Sequence, residues 1–148
     1  MASLNLSVLD QSPIHENKHP KEGLFDSIKL AKICEDEGYY RYWCAEHHDT
    51  PGYASSCPEI MVSSIANATS KIRVGSGGVM LNHYSSFKVA ETFTTLNALH
   101  NNRIDLGIGR ASGAKFLAAR ALHNSNNADY TKKAYNLINY LDDKVPSN

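Results

Sequence analysis

The chain has 148 residues, 42% hydrophobic and 20% charged, with 15 basic and 15 acidic side chains that cancel. That length suits one domain with one ordinary core. Zero net charge removes the field that would collect nucleic acid or acidic lipid, and no apolar run approaches the ~20 residues needed to cross a bilayer, so neither nucleic acid nor membrane is an expected partner.

The predicted elements alternate along the chain. Leu4, Leu6 and Val8 alternate with polar residues as a short strand that ends in Asp10-Gln11-Ser12-Pro13. From Gly23 to Glu37, Leu24, Ile28, Ala31 and Cys34 recur at helical spacing, and Gly38 supplies a stop. Tyr40 to Ala45 is aromatic and β-prone, and it delivers the polar cluster Glu46-His47-His48-Asp49 into a loop. Ser56-Cys57-Pro58-Glu59 reads as a capping box for a second helix carrying Met61, Ile65 and Ala68. A third strand from Ile72 to Leu81 holds Gly75, Gly77 and Gly78 inside it. Ser86 is the expected cap of a third helix striped by Val89, Phe93, Leu96 and Leu99. Arg103 to Gly109 forms a fourth strand, followed by a helix around Lys115 to Leu122, a polar break at Asn124 to Asn127, and a last helix from about Asp129 to Leu141.

Strand starts lie roughly 30 to 40 residues apart, the length of a right-handed βαβ unit, which predicts a parallel α/β sheet. Two architectures accept four such units, an open doubly wound sheet or half of an eight-unit barrel, and the spacing alone leaves both open. In either, ligands meet the carboxyl ends of the strands. The residues to weigh are therefore Asp10-Gln11, Glu46 to Asp49, Gly75 to Met80, and Gly107 to Gly113.

Each group has a chemical and a structural reading. His47 and His48 are imidazoles suited to acid–base work or metal ligation, but neighbours in extended chain point to opposite faces, and no distant H-x-E or C-x-x-C completes a metal shell. The structural reading is a histidine hydrogen-bonded within its loop. The glycines of the third strand present bare backbone, either for close approach of a planar ligand or another chain segment, or as a β-bulge. Gly107 to Gly113 runs from a strand toward a helix, so its amides and Arg110 suit a phosphate, the alternative being a simple turn with a surface arginine. Cys34, Cys44 and Cys57 are odd in number, and they read as reduced thiols, Cys44 buried and structural. Tyr39, Tyr40, Tyr42 and Trp43 read as core and helix–sheet packing. The first ten residues lack a basic n-region and a long apolar h-region, so the cytoplasm is the expected location.

Taken together, four segments resemble the bacterial luciferase-like flavin monooxygenases. They are Leu9 to Pro13, Gly38-Tyr39 through Trp43-Cys44-Ala45-Glu46-His47-His48, Ile72 to Leu81, and Arg103 to Arg110. Order and spacing match across essentially the whole chain, although Asn102 stands where the family has glycine before Arg103. The resemblance implies a TIM barrel that binds FMN, or in some relatives the deazaflavin F420, at the strand carboxyl ends. A separate flavin reductase supplies the reduced flavin, and a small organic substrate is oxidised with O2. His47 matches the family's catalytic histidine. Gly77 and Gly78 match its non-proline cis peptide beneath the flavin ring, and Arg110 matches an arginine near the flavin phosphate. Gly109 stands where bacterial luciferase has a reactive cysteine, so thiol chemistry is not implied there. No metal is implied.

Family chains are roughly twice this length, and only about four of eight units are expected here. Residues 1–148 then form a single partial (β/α) domain, the N-terminal half of a TIM barrel, as a truncated chain or one completed by another. The alternative function is a noncatalytic half-barrel that binds flavin or serves assembly. Unpaired sheet edges lead to the expectation of a homo-oligomer, in the first instance a dimer, either of two half-barrels completing each other or, as the resemblance implies, through the second and third helices, where Ser63, Ser64, Ala66 and Ala68 allow close approach.

Overall fold

A computed structural model describes residues 4–110, 114–122 and 129–143. Four parallel strands, β1 (Ser7–Asp10), β2 (Arg41–Cys44), β3 (Arg73–Met80) and β4 (Ile104–Gly109), pair in chain order as one sheet. A doubly wound sheet reverses its strand order, whereas a barrel adds each strand beyond the last on the same side. The sequential order therefore selects the half-barrel.

Among the described residues, five α-helices connect or follow the strands: α1 (Pro20–Asp36), α2 (Pro58–Ala68), α3 (Ser86–Leu99), α4 (Phe116–Ala121) and α5 (Tyr130–Leu141). The apolar stripes of α1, α2 and α3 meet one sheet face. Tyr42, Cys44, Val74 and Ile104 from the strands share a buried cluster with Ala31, Cys34, Val62, Ile65 and Phe93 from the helices. The opposite, concave face carries Leu9, Arg41, Trp43, Gly75, Asp105 and Gly107, because side chains alternate along each strand. Trp43 thus departs from the expected helix–sheet packing: Tyr42 is fully buried under α1, its hydroxyl donating to the Ser27 carbonyl at 3.1 Å, and its neighbour faces the other way.

Local chemistry fixes the helix ends. His19 caps α1: its Nδ1 accepts from Lys21 N at 3.1 Å while Glu22 Oε2 accepts from His19 N at 2.9 Å. Gly38 stops α1 in the left-handed conformation at φ 77°, with Gly38 N donating to Glu35 O and Tyr39 N to Cys34 O. The capping box expected at Ser56 is absent. Pro58 starts α2, which makes Cys57 the cap, and the Cys57 side chain makes no capping bond. Ser85, not Ser86, caps α3, accepting from Lys88 N; the Ser86 hydroxyl instead donates to Lys133 O at 2.9 Å and joins α3 to α5.

Three charged side chains lock units together through backbone groups. Glu35 of α1 accepts from the amides of Ser70, Lys71 and Ile72 at 2.5 to 3.0 Å, fixing the turn into β3. Those bonds outweigh the cost of burial and hold its carboxyl below the ordinary range. Arg103 donates to the carbonyls of Ala66, Thr69 and Ile72, satisfying the carboxyl end of α2. Lys133 of α5 donates to the carbonyls of Leu81, Asn82 and Tyr84, holding the turn after β3. The expected polar break at Asn124 to Asn127 and the turn Ala111-Ser112-Gly113 lie outside the described residues.

Candidate active site

The carboxyl ends of β1 to β4 open on one rim, and the loops there are tied to one another. After β1, Asp10 turns the chain by accepting from Ser12 N at 2.9 Å, and Ser12 Oγ accepts from Ser27 of α1. The loop after β1 then pairs with the loop after β2: Ile14 N donates to Gly52 O and Ala54 N to Ser12 O. Gly23 of α1 is needed at this crossing, since a Cβ there would lie 2.7 Å from the Pro13 carbonyl oxygen.

The Glu46-His47-His48 run alternates in direction. Glu46 is buried, and its carboxylate gathers three donors: Oε2 accepts from Met80 N at 2.9 Å, and Oε1 takes the Tyr84 hydroxyl at 2.8 Å and His48 Nε2 at 2.6 Å. His48 in turn meets His83 edge-on, with ring centroids 5.9 Å apart. Burial first, and then the Glu46 carboxylate, push the Tyr84 phenol well above its ordinary pKa. Tyr84 therefore acts as a fixed donor. His47 lies apart from this network, half-buried, its ring stacked on Tyr53 at 4.6 Å with 24° between planes and its amide donating to Ser55 O. The two histidines thus serve different surroundings, as alternation requires. Cys44 is a buried free thiol whose pKa burial raises strongly.

The Gly77–Gly78 peptide is cis. Pairing of β3 with β4 shifts there: Ser76 opposes Leu106 and Val79 opposes Ile108, so both glycines face Gly107 alone. The β-bulge expected as one reading of these glycines is present. Ser76 Oγ pins the bulge, donating to Gly107 O at 2.9 Å and accepting from Gly107 N at 3.2 Å. A concave-face cavity of about 250 Å³ opens against it, lined by Leu9, Trp43, Gly77, Gly78 and Gly107 among others.

The glycines admit another chain segment at close range, and which side chain they admit was not legible beforehand. A Cβ on Gly75 would lie 2.6 Å from the Trp43 ring, and one on Gly77 would lie 2.9 Å from Trp43 Cβ. One on Gly78 would meet the Gly107 and Ile108 backbone at 2.9 Å. The bare strand is therefore a seat for the Trp43 indole. Alternation of β2 was the available signal for its direction.

Arg110 follows β4 and is exposed; its carbonyl accepts from Asn82 Nδ2 at 3.1 Å. Below the cavity, Asp105 binds Arg41 Nε at 2.7 Å and Arg73 Nε at 2.8 Å, and these bonds hold its carboxyl below the ordinary range against the cost of burial.

The profile of the family described as luciferase-like monooxygenase matches residues 4–141. Over 129 residues, 87% of this chain and 37% of the relative, the sequence is 48% identical to the N-acetyl-S-alkylcysteine monooxygenase of Bacillus subtilis. Among solved structures, apo-MsnO8 superposes with a TM-score of 0.88 at 47% identity, over 93% of this chain and 41% of that one. The oxygenating constituent of a type II Baeyer-Villiger monooxygenase, 3,6-diketocamphane monooxygenase from the CAM plasmid of Pseudomonas putida, solved with FMN, shares the fold with a TM-score of 0.80 at 18% identity. That match spans 95% of this chain and 38% of that one. The chain spans less than half the length of the curated relatives it matches.

Proposed function

The chain belongs to the luciferase-like monooxygenase family, and from that premise we propose that it is the N-terminal half of a barrel that oxidises a small organic substrate with reduced flavin and O2. The observation that carries this reading is the bulged Gly77–Gly78 segment opening the concave cavity on the rim where Glu46 and His47 emerge. A flavin is the proposed ligand: the Trp43 ring and the Gly77–Gly78 backbone line the concave cavity, and Arg110 follows β4 on the same rim, where a guanidinium suits a phosphate. Reduced FMN, when bound, supplies the electrons that activate oxygen. F420 is the less favoured cofactor. His47 is the proposed catalytic residue, moving a proton at the reacting centre, and Tyr53 orients its ring. Glu46 fixes the Met80 amide and the Tyr84 hydroxyl, which holds the rim in shape. A separate flavin reductase is the proposed supplier of reduced flavin.

A second reading is a noncatalytic half-barrel that binds flavin at the concave cavity or assembles with other subunits. Flavin absorbance on the purified protein followed by oxygen uptake with reduced FMN separates the two. Binding with substrate-dependent uptake supports the enzyme, and binding without it supports the module. Absence of binding at high micromolar FMN overturns both.

A further inference from the structure

We propose that Asn82 is a positioning residue for Arg110: its carboxamide fixes the backbone from which the guanidinium projects, so that the cation is held ready for the phosphate of FMN. The proposal rests on the flavin reading above and on Arg110 as the phosphate partner within it. It starts where the strand ladder stops. The last pair between β3 and β4 sets Met80 opposite Gly109, so Arg110 is the first residue after β4 without a strand partner. Arg110 is exposed, and its guanidinium makes no ion pair among the described residues. An arginine on untied chain loses backbone as well as side-chain freedom when it grips an anion. Asn82 Nδ2 removes the first of these losses by donating to the Arg110 carbonyl at 3.1 Å, one residue beyond the ladder.

Asn82 can hold Arg110 only if its own backbone is fixed, and the surrounding groups fix it. The Lys133 ammonium of α5 donates to the Asn82 carbonyl at 2.8 Å and to those of Leu81 and Tyr84 at 3.3 and 2.9 Å. Just ahead of the turn Leu81–His83, Glu46 accepts from Met80 N at 2.9 Å, and Leu81 is fully buried. The partner dictates how the carboxamide is turned, since a carbonyl only accepts and the amide nitrogen must face it. Asn82 Oδ1 is then enclosed with no hydrogen bond among the described residues, which costs stability. A side chain present only to fill space would gain nothing from an amide there. The use made of its nitrogen accounts for the oxygen left unpaired.

FMN and riboflavin, which differ by the phosphate, are titrated against the full chain, Asn82→Ala, Arg110→Ala and the double variant, with circular dichroism confirming equal folding. Asn82→Ala is expected to bind FMN about three- to tenfold more weakly and riboflavin within about twofold of the parent, a split that general loosening of the rim would not produce. In the Arg110→Ala background the same change is expected to alter FMN affinity by less than about twofold, because a residue that acts through Arg110 has nothing left to position. Unchanged FMN affinity in Asn82→Ala, equal losses for the two ligands, or an undiminished loss in the double variant overturns the proposal and leaves the flavin reading standing. An Arg110→Ala variant that loses FMN and riboflavin equally removes the phosphate partner and the proposal with it. A folded parent that binds neither ligand overturns the flavin reading itself. Should Asn82→Ala fail to fold, the near-isosteric and uncharged Asn82→Leu carries the same test with the same expected outcomes.

Discussion

Glu46 concentrates more structure than any other rim side chain, because one buried carboxylate serves an amide, a phenol and an imidazole from different segments. Glu46→Gln replaces one accepting oxygen with a donor, which must then face a donor. A loss of about 1 to 3 kcal/mol in unfolding free energy is expected by urea denaturation, with a larger fractional loss of any flavin-dependent turnover. His47→Ala is expected to lower turnover more than flavin affinity, and Arg110→Ala to weaken FMN more than riboflavin, since only FMN carries the phosphate. Titration provides a further check. His100 caps α3 in a buried position, and burial first, then Arg103, holds its imidazole pKa below the ordinary value of 6.5. The folded chain therefore binds that proton less readily than the unfolded chain, and stability falls as pH drops below 6.5. Glu35 adds a loss at lower pH: its folded pKa lies below 4.5, so its contribution is complete above that value and disappears as pH falls through the folded pKa. Thermal unfolding from pH 8 to 3 is expected to show both falls, with His100→Gln flattening the upper one and Glu35→Gln the lower.

At the level of elements, β3 and β4 tolerate least. A Cβ on Gly107 would collide with the Ser76 carbonyl oxygen and one on Gly78 with the β4 backbone, neither of which is a flexible group. Gly107→Ala and Gly78→Ala are each expected to destabilise by about 1 to 3 kcal/mol, as overpacking does, while alanine at exposed Lys32 changes little. Much of this layout could be read in advance from particular residues. The Leu24, Ile28, Ala31, Cys34 stripe is the buried or half-buried side of α1, and Gly38 is its stop. Asp129 caps α5 through Lys132 N. Less legible were features fixed by pairing partners. Tyr42 and Trp43 are equally aromatic, and only the register of β2 between its neighbours sends one to the helices and the other to the cavity. Histidine is not among the preferred caps, so the start of α1 at Pro20, ahead of its apolar stripe, was not legible. Ala66, expected at a helix-pairing surface, is buried within the chain's own core, which leaves Ser63, Ser64 and Ala68 as the half-buried small residues on α2.

Viewed whole, the half-barrel leaves apolar surface that further packing would cover. Leu9 on the concave face is 57% exposed, and Phe116 and Leu117 of α4 are 79% and 73% exposed. Such surface favours association, so light scattering at micromolar concentration is expected to give a mass above 16.3 kDa, in the first instance that of a dimer. A monodisperse 16.3 kDa species would refute this. The distribution of sulfur gives the folded state a chemical count of its own. Cys34 and Cys44 are buried with thiols held protonated by that burial, whereas Cys57 stands exposed at the start of α2. A disulfide-exchange chromophore should therefore take up one equivalent per native chain at once and three in denaturant, and the slow appearance of the remaining two should follow the opening of the layer between α1 and the sheet.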